Sequence, residues 1–487
     1  MPGGDRVHQR EAIPGGRSAP FTVRTGAPGS IAPAAAPATA APLPAGAPPD
    51  AATEFHDRLR QLEHDLAANR PPATAPPRAT AGTASPAPGN VRSFKVCASL
   101  KCTAFTTVTA VARAVSRHAA IYLDQNAPPD DSLRQADLET LARHFDTYHH
   151  PIDVAAFGPE SDIDGNGVVD ILLTKAVNDL TPDCTNGRVL GYFFGLDLLA
   201  GQPNSNDGEI FYAFVPSPGT ARCSAISRET AVAALEPTLI HEFQHMISFN
   251  QHVLIRGGGT ELTWLNEGMS HFAEELGGRL IPAAECPGFS SCRSQYVSGD
   301  LFNAYDYLTN PEAHYLIYPT ESTGTLEERG ASWLFVRWLA DQFGSDSTAP
   351  NLTLAIDNTA AQGAGNVTAF TQSDFARLVT EWHLALYLDD LDGFTPDSPR
   401  LTYSTWGFRS VYTDPRNAQA FPNGFPLSPA AVGGPFQHQG TLRGGSAYYL
   451  LATPGPGAEF DIKVGGTSND DPVDAGLGVA IGLARIR

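Results

Sequence analysis

The chain has 487 residues, roughly three to four times an average domain, so it forms one large domain with insertions or two to three smaller ones. Its 32 basic and 52 acidic side chains leave a formal charge of −20, and its four lysines (Lys95, Lys101, Lys175, Lys463) form no basic stripe, which excludes binding to a nucleic-acid backbone. Hydrophobic residues make up 42% of the chain, enough for a packed interior, yet no apolar run is long enough to span a bilayer as a helix.

Residues 1–90 hold sixteen of the forty prolines, in stretches such as 31–49 and 71–88. Such a composition buries too little surface to offset its ordering entropy. The segment is expected to be disordered and dispensable for fold and turnover. One interruption, 54–68, places Phe55, Leu59, Leu62 and Leu66 at helical spacing among charged residues. It reads as a short amphipathic helix that either frays within a linker or docks on the folded part. The first thirty residues show no apolar stretch between a basic start and a small-residue cleavage site, so no signal peptide is visible and a truncated start is expected.

From Val91 the composition is that of an ordered domain, taken to extend over 91–395. Apolar runs over 91–123 and 138–148 precede two predicted strands, 168–177 and 208–215. Helical patterns dominate from 236 to 342; one helix, 325–343, carries Trp333 and Trp338 as core residues, and another covers 371–389. After about residue 396 the chain turns to Gly-rich short strands such as 446–452 and 479–486, predicting a small β-domain over 396–487. The fold class is α+β: a strand-bearing half, a helical half, then the β-domain. No internal repeat is visible.

The six cysteines fall in neighbouring pairs, Cys97–Cys102, Cys184–Cys223 and Cys286–Cys292, and spacing suggests that each pair is bridged. Bridged cysteines imply an oxidising compartment. No pair has C-x2-C spacing, which disfavours structural zinc.

The chemistry lies in His241-Glu242-Phe243-Gln244-His245. On a helix, residues i and i+4 stack on one face, so His241 and His245 offer two imidazoles to one tetrahedral zinc, with Glu242 placed to accept a proton from an activated water. Leu239, Ile240, Phe243, Met246 and Ile247 form the apolar side of the same helix. A zinc site with one open position needs a third protein ligand. Trp264-Leu265-Asn266-Glu267-Gly268-Met269-Ser270 supplies a carboxylate at the start of a second helical pattern.

At these residues the chain resembles the gluzincin metallopeptidases, whose third ligand is a Glu in an N-E-x-x-S context on the helix after HExxH. IHEFQHMISFNQ together with WLNEGMSHFAEEL looks most like the hyicolysin family of secreted bacterial metallopeptidases, similar in the zinc helices to thermolysin. The resemblance implies a thermolysin-like zincin domain, His241, His245 and Glu267 as zinc ligands, and Glu242 as general base. It is strongest over 238–276 and softer over the rest of 91–395, where SDIDGNGVVDILLT, GYFFGLDLL and SNDGEIFYAFV look like the family's preceding strands. One departure stands out: where the thermolysin pattern places an Asp that holds a zinc histidine, this chain has His271. A carboxylate behind a ligand histidine normally fixes its tautomer, and Glu274, one helical turn further along the face of Glu267, is the replacement candidate, its alternative being a solvated acidic position.

The competing metzincin pattern requires glycine and histidine where the chain has Ser248 and Gln251, and His252 is one place out of step. His252 and His271 are therefore read as polar or supporting histidines. No tyrosine lies between His245 and Glu267, so the group stabilising the oxyanion comes from further on: Tyr305, Tyr307, His314, Tyr315 and Tyr318 all remain candidates. A second motif, Asp162-Ile163-Asp164-Gly165-Asn166-Gly167-Val168-Val169-Asp170, matches the first part of a calcium loop through Asp162, Asp164, Asn166 and Asp170, but Leu173 stands where a full EF-hand needs Glu. The choice is between a truncated calcium loop and a plain Asp/Asn/Gly turn.

The sequence thus reads as a secreted zinc endopeptidase, expected to be monomeric and to act on protein or peptide substrates, with no nucleic-acid partner and no membrane span. The alternative is a surface or matrix-binding module on the same scaffold that has lost turnover; a zinc hydrolase acting on a non-peptide amide is a third reading. Side-chain specificity, endo against exo action, activating cleavage and oligomeric state are not written in it.

Overall fold

The computed structural model describes residues 16–27, 50–70, 84–129, 132–185, 187–319, 324–453, 459, 461–466, 473 and 478–486. The first elements are β1 (Ala19–Gly26), α1 (Ala51–Ala68), β2 (Val91–Cys97), β3 (Phe105–Val115), β4 (Ala119–Asp124), α2 (Gln135–His144), α3 (His150–Phe157), β5 (Val169–Leu173), α4 (Lys175–Asp179), β6 (Gly191–Phe193) and β7 (Ile210–Ala213). A helical stretch follows, with α5 (Arg228–Phe249), α6 (Thr263–Leu280), α7 (Cys292–Tyr296), α8 (Ser298–Thr309), α9 (Leu326–Phe343), α10 (Pro350–Asp357), α11 (Gly363–Thr371), α12 (Phe375–Leu388) and α13 (Phe408–Thr413). The chain closes with β8 (Ala430–Val432), β9 (Phe436–Leu442), β10 (Leu450–Ala452) and β11 (Asp461–Gly465).

Six strands form the main sheet in the order β2-β3-β4-β5-β7-β6. The β4, β5 and β7 strands run parallel, and β6 pairs antiparallel to β7 as an edge, with Phe193 opposite Phe211. Burial explains the wording of the strands. Central β5 (VDILL) is buried at every position, as a strand covered on both faces must be, whereas β3 alternates buried and exposed residues. α5 packs against β6 and β7, and α6 packs in turn on α5 and α9. The mixed helix-and-strand character expected from the sequence is present, with strands concentrated before α5 and helices after it.

Two sequence features shape α5. Ser227 caps it by accepting from Thr230 N, and Pro237 interrupts its ladder because proline has no N–H to offer the Ala233 carbonyl. Gln295 Nε2 donates to that carbonyl at 3.0 Å, so the part-buried acceptor is satisfied from α7. Gly191 allows β6 to lie hard against the helix: a Cβ there would sit 2.6 Å from Thr238 Cγ2. Gly268 does the same for α6 on α9, where a Cβ would meet Ser332 O at 2.9 Å.

All three neighbouring cysteine pairs are bridged, with Cα–Cα distances of 4.9, 4.8 and 5.2 Å, and none of the six is free.

The N-terminal expectation needs correction. Parts of 1–90 lie outside the described residues, but those described are structured. The helix starts earlier than expected, at Ala51, because Asp50 accepts from Ala52 N and Thr53 N as its cap. It docks: Phe55 and Leu59 are fully buried, and the Phe55 ring lies 5.0 Å from that of Tyr192. A strand unforeseen in the sequence, β1, sits between β9 and β11 in a second, antiparallel sheet. Composition missed it because proline-rich flanks outweighed the short run Phe21-Thr22-Val23, whose side chains are buried by partners far away in the chain. The C-terminal strands are also shorter than expected. Of 446–452 only Leu450–Ala452 pairs, in parallel with β8, and 479–486 joins no ladder among the described residues. Its Ile481 and Leu483 are exposed, while Gly482 approaches Thr380 and Leu384 of α12, so the apolar alternation lies along a helix without a sheet edge to pair with.

The tight seat of β6 on α5 yields a first prediction. Gly191→Val forces a side chain into the Thr238 contact and is expected to cost about 1–3 kcal/mol, read as a lowered midpoint in thermal or urea unfolding. An unchanged midpoint would mean that this approach is not tight.

Candidate metal centre

The helix α5 delivers His241, Glu242 and His245, and the first turns of α6 deliver Asn266, Glu267 and Ser270. All six are buried, so their polar atoms must find partners inside the protein. The two Nε2 atoms of His241 and His245 face each other at 3.2 Å. Glu267 closes the triangle, Oε2 lying 3.6 Å from His241 Nε2 and Oε1 3.7 Å from His245 Nε2. These atoms converge closely enough for one ion to reach all three side chains.

The outer nitrogens settle which way the imidazoles face. His241 Nδ1 donates to Glu274 Oε1 at 2.7 Å, and His245 Nδ1 donates to Asn266 Oδ1 at 3.0 Å. Ser270 Oγ, itself donating to Gln244 Oε1 at 2.6 Å, lies 3.1 Å from His245 Nδ1. With both Nδ1 atoms spent on acceptors, the Nε2 lone pairs point inward together, the tautomer a metal-binding histidine needs. Neither oxygen of Glu267 accepts a hydrogen bond among the described residues. Two converging lone pairs and a buried carboxylate are a donor set for a cation, so the residues fit a divalent metal.

The electrostatics agree. Burial presses the His241 pKa down, but Glu267 and Glu274 outweigh it and lift it to about 9, so that without metal a proton supplies the positive charge the carboxylates demand. Burial also works to raise Glu267, yet Arg329 and the two histidines hold it well below the usual carboxylate range. The Arg329 Nη1 lies 3.2 Å from Glu267 Oε2. His245 is pushed well below its ordinary value by burial, then by the Arg60 charge. Glu242 is raised by burial, partly offset by His241 and Arg60, and its Oε2 accepts from Phe193 N at 2.7 Å.

Glu274 therefore takes the position behind His241, and His271 serves it rather than the metal site directly. His271 Nδ1 lies 2.9 Å from the same Glu274 oxygen and 2.7 Å from Asp300 Oδ1. Burial lowers the His271 pKa, but Asp300 and Glu274 lift it to about 10, making it a cation that steadies the carboxylate. Asp300 was invisible in the sequence because α8 brings it in from a separate helix. Arg329 was missed because the pattern of α9 reads as core; a charged residue on the apolar face of that helix was its only signal.

The remaining candidates separate. His252 is buried 3.7 Å from Asp357 and 3.9 Å from Glu261, away from the triangle. Tyr305 packs against Tyr412 and Phe421, Tyr307 stacks on Trp382, Tyr315 OH pairs with Ser18, and His314 lies beside Tyr307. Tyr318 alone of the five shares its surroundings with Arg329, and its OH lies 3.3 Å from Ser332 Oγ. In the second motif, carboxylate oxygens of Asp162 and Asp164 converge with one from Glu209, a residue the sequence did not suggest. Asn166 is turned aside, its Nδ2 donating to Asp164 Oδ2 at 2.8 Å and its Oδ1 accepting from Val168 N at 2.7 Å, and Asp170 pairs with Arg92.

One curated relative is the neutral metalloprotease ShpI of Staphylococcus hyicus, 27% identical over 220 residues. The match covers 44% of this chain, and the chain spans 44% of the relative's length. No profile of a known protein family matches the chain.

Since Glu274 accepts from Nδ1 of the candidate ligand His241, Glu274→Ala is expected to weaken divalent-metal affinity about 10–100-fold while the fold is kept, measured by competition with a chromophoric chelator. An unchanged affinity would remove Glu274 from the metal centre.

Proposed function

We propose that this chain is a secreted zinc-dependent endopeptidase. The observation that carries the reading is the inward convergence of His241 Nε2, His245 Nε2 and Glu267, with Glu242 beside them. The relative's description as a neutral metalloprotease supports it, as do three disulfides of the kind found in oxidising compartments. No helix among the described residues is long and apolar enough to cross a membrane.

Zinc bound by His241, His245 and Glu267 supplies Lewis acidity, activating water at neutral pH and polarising a carbonyl oxygen. The protein's own groups do the rest. Phe193 N holds Glu242 Oε2, which leaves Oε1 to accept the proton of the attacking water and then deliver it to the departing amine. Burial raises the Glu242 pKa above the ordinary carboxylate value, which makes it a better proton acceptor. The β6 edge lies beside Glu242, and an extended peptide adding to that edge brings its scissile bond to the site. A binding module without turnover would have no use for a base held in this way.

We also propose that Asp162, Asp164 and Glu209 hold a calcium ion. Glu209 supports this: it is almost fully buried, Oε1 accepts from Ser161 and Ile163, and Oε2 has no hydrogen-bond partner among the described residues. Hard oxygen ligands of this kind suit calcium.

Three outcomes check these assignments. Glu242→Gln should retain stoichiometric zinc while peptide hydrolysis falls by about three or more orders of magnitude. Glu267→Ala should lose zinc first, with excess metal restoring part of the activity; full zinc content and activity in this variant would reject the ligand assignment. Calcium at about a hundred times its Kd should stabilise the protein by about 2.7 kcal/mol, and Asp164→Asn should abolish the effect.

A further inference from the structure

The helix α1 buries the wrong face for an ordinary surface helix. His56, Asp57, Arg60 and Glu63 recur at i, i+1, i+4 and i+7, so they share one side of the helix, and all four are buried along with Phe55 and Leu59. A charged stripe is buried only where polar groups receive it. Here the receiving surface is the catalytic cleft. Arg60 Nη2 donates to Phe193 O at 2.9 Å, Glu63 Oε1 accepts from Gly195 N at 2.6 Å, and Arg60 and Glu63 brace each other at 3.2 Å. Phe193 is the residue whose N–H holds Glu242. The backbone groups gripped by α1 are thus those of β6 and its continuation, beside the general base.

The rest of the stripe lies within electrostatic reach of the candidate ligands and Arg329. Asp57 is lifted to about 7 by burial, with Arg329 and Glu267 as its nearest charged influences, and His56 feels Arg329, Glu267 and His241. His56 Nδ1 has no hydrogen-bond partner among the described residues. The helix has 18 residues, about 27 Å of length, and is fixed at both ends: Asp50 abuts Gly187, and Arg70 Nη1 donates to Val253 O at 2.9 Å.

We propose that α1 is a built-in inhibitor: it occupies the cleft in which a peptide substrate would pair with β6 over Glu242, so the full chain is latent until α1 is displaced. The proposal rests on the zinc-peptidase reading of the same site. It also explains why an acidic and basic helix should be held inside the protein. Arg60 and Glu63 take two backbone groups, Phe193 O and Gly195 N, that an incoming peptide would otherwise use.

The test uses the zinc-loaded full chain. Two variants release α1 by different means: Arg60→Ala with Glu63→Ala removes its grip on β6, and His64→Pro breaks the helix at an exposed position outside the cleft. Turnover of a quenched fluorescent peptide is measured in each, and binding of a labelled peptide is measured by anisotropy with Glu242→Gln added. Both turnover and binding are expected to rise at least about ten-fold over the unmodified chain, because the competent open state is no longer a minor population. A synthetic peptide of residues 50–70 should restore inhibition. In the unmodified chain, the Gly195 amide should resist hydrogen exchange, and fast exchange there would show that α1 is not seated. Unchanged turnover and binding in both variants overturns the proposal, as does a loss of turnover that tracks a fall in melting temperature, which would make α1 a structural brace. Should no form cleave peptide while binding still rises in the α1 variants, the occlusion stands and the peptidase reading fails.

Discussion

Burying several carboxylates beside two imidazoles is tolerable only if positive charge lies among them, and the centre of this protein is arranged around that requirement. Removing one charge from water costs several kcal/mol even after relaxation. Glu267 meets the imidazole edges on one side and Arg329 on another. Glu274 is shared between His241 and His271, and His271 is in turn shared with Asp300. Every carboxylate in the chain of contacts thus has a cation or an N–H donor on it. A divalent ion held where the Nε2 atoms converge would complete that balance.

The helices can come close enough to build this because small residues stand where their backbones cross. Gly268 follows the candidate ligand directly and faces Ser332 of α9, the helix that carries Arg329. Adjacent glutamates on α6 then do different work. Glu274 points to the two histidines, whereas Glu275 is buried among Arg279, Arg337, Trp333 and Trp406, each of which donates to it. The second carboxylate ties α6 to α9 and to the segment ahead of α13, so the ligand-bearing turn of α6 is fixed from behind.

The two helices of the candidate metal centre were legible because their information is local. Histidines at i and i+4 share a face in any helix, and the apolar positions of 239–247 report which side is buried. The position of Glu274 could be inferred for the same reason, from its spacing to Glu267 along α6. Asp300, Glu209 and Arg329 could not, because each reaches its site from an element whose placement depends on packing between distant parts of the chain. The same holds for the N-terminal helix. Its spacing was readable, but the partners that make its charged side an interior surface lie on β6 and α9. The strand at 19–26 failed for a related reason, its neighbours being at the other end of the sequence.

That last pairing has a consequence for how the molecule is made. β1 is the middle strand of its sheet, held by β9 on one side and β11 on the other, and Thr22 Oγ1 reaches the carbonyl of Gly466, 444 residues away. A ribosome delivers the middle strand long before its two neighbours. Throughout synthesis β1 therefore waits with both edges unpaired, exposed to any other strand it meets. Closing so long a loop is slow, though lengthening it further would add little to the entropy cost. This sheet can therefore close only after β9 and β11 have been made, long after β1 has left the ribosome.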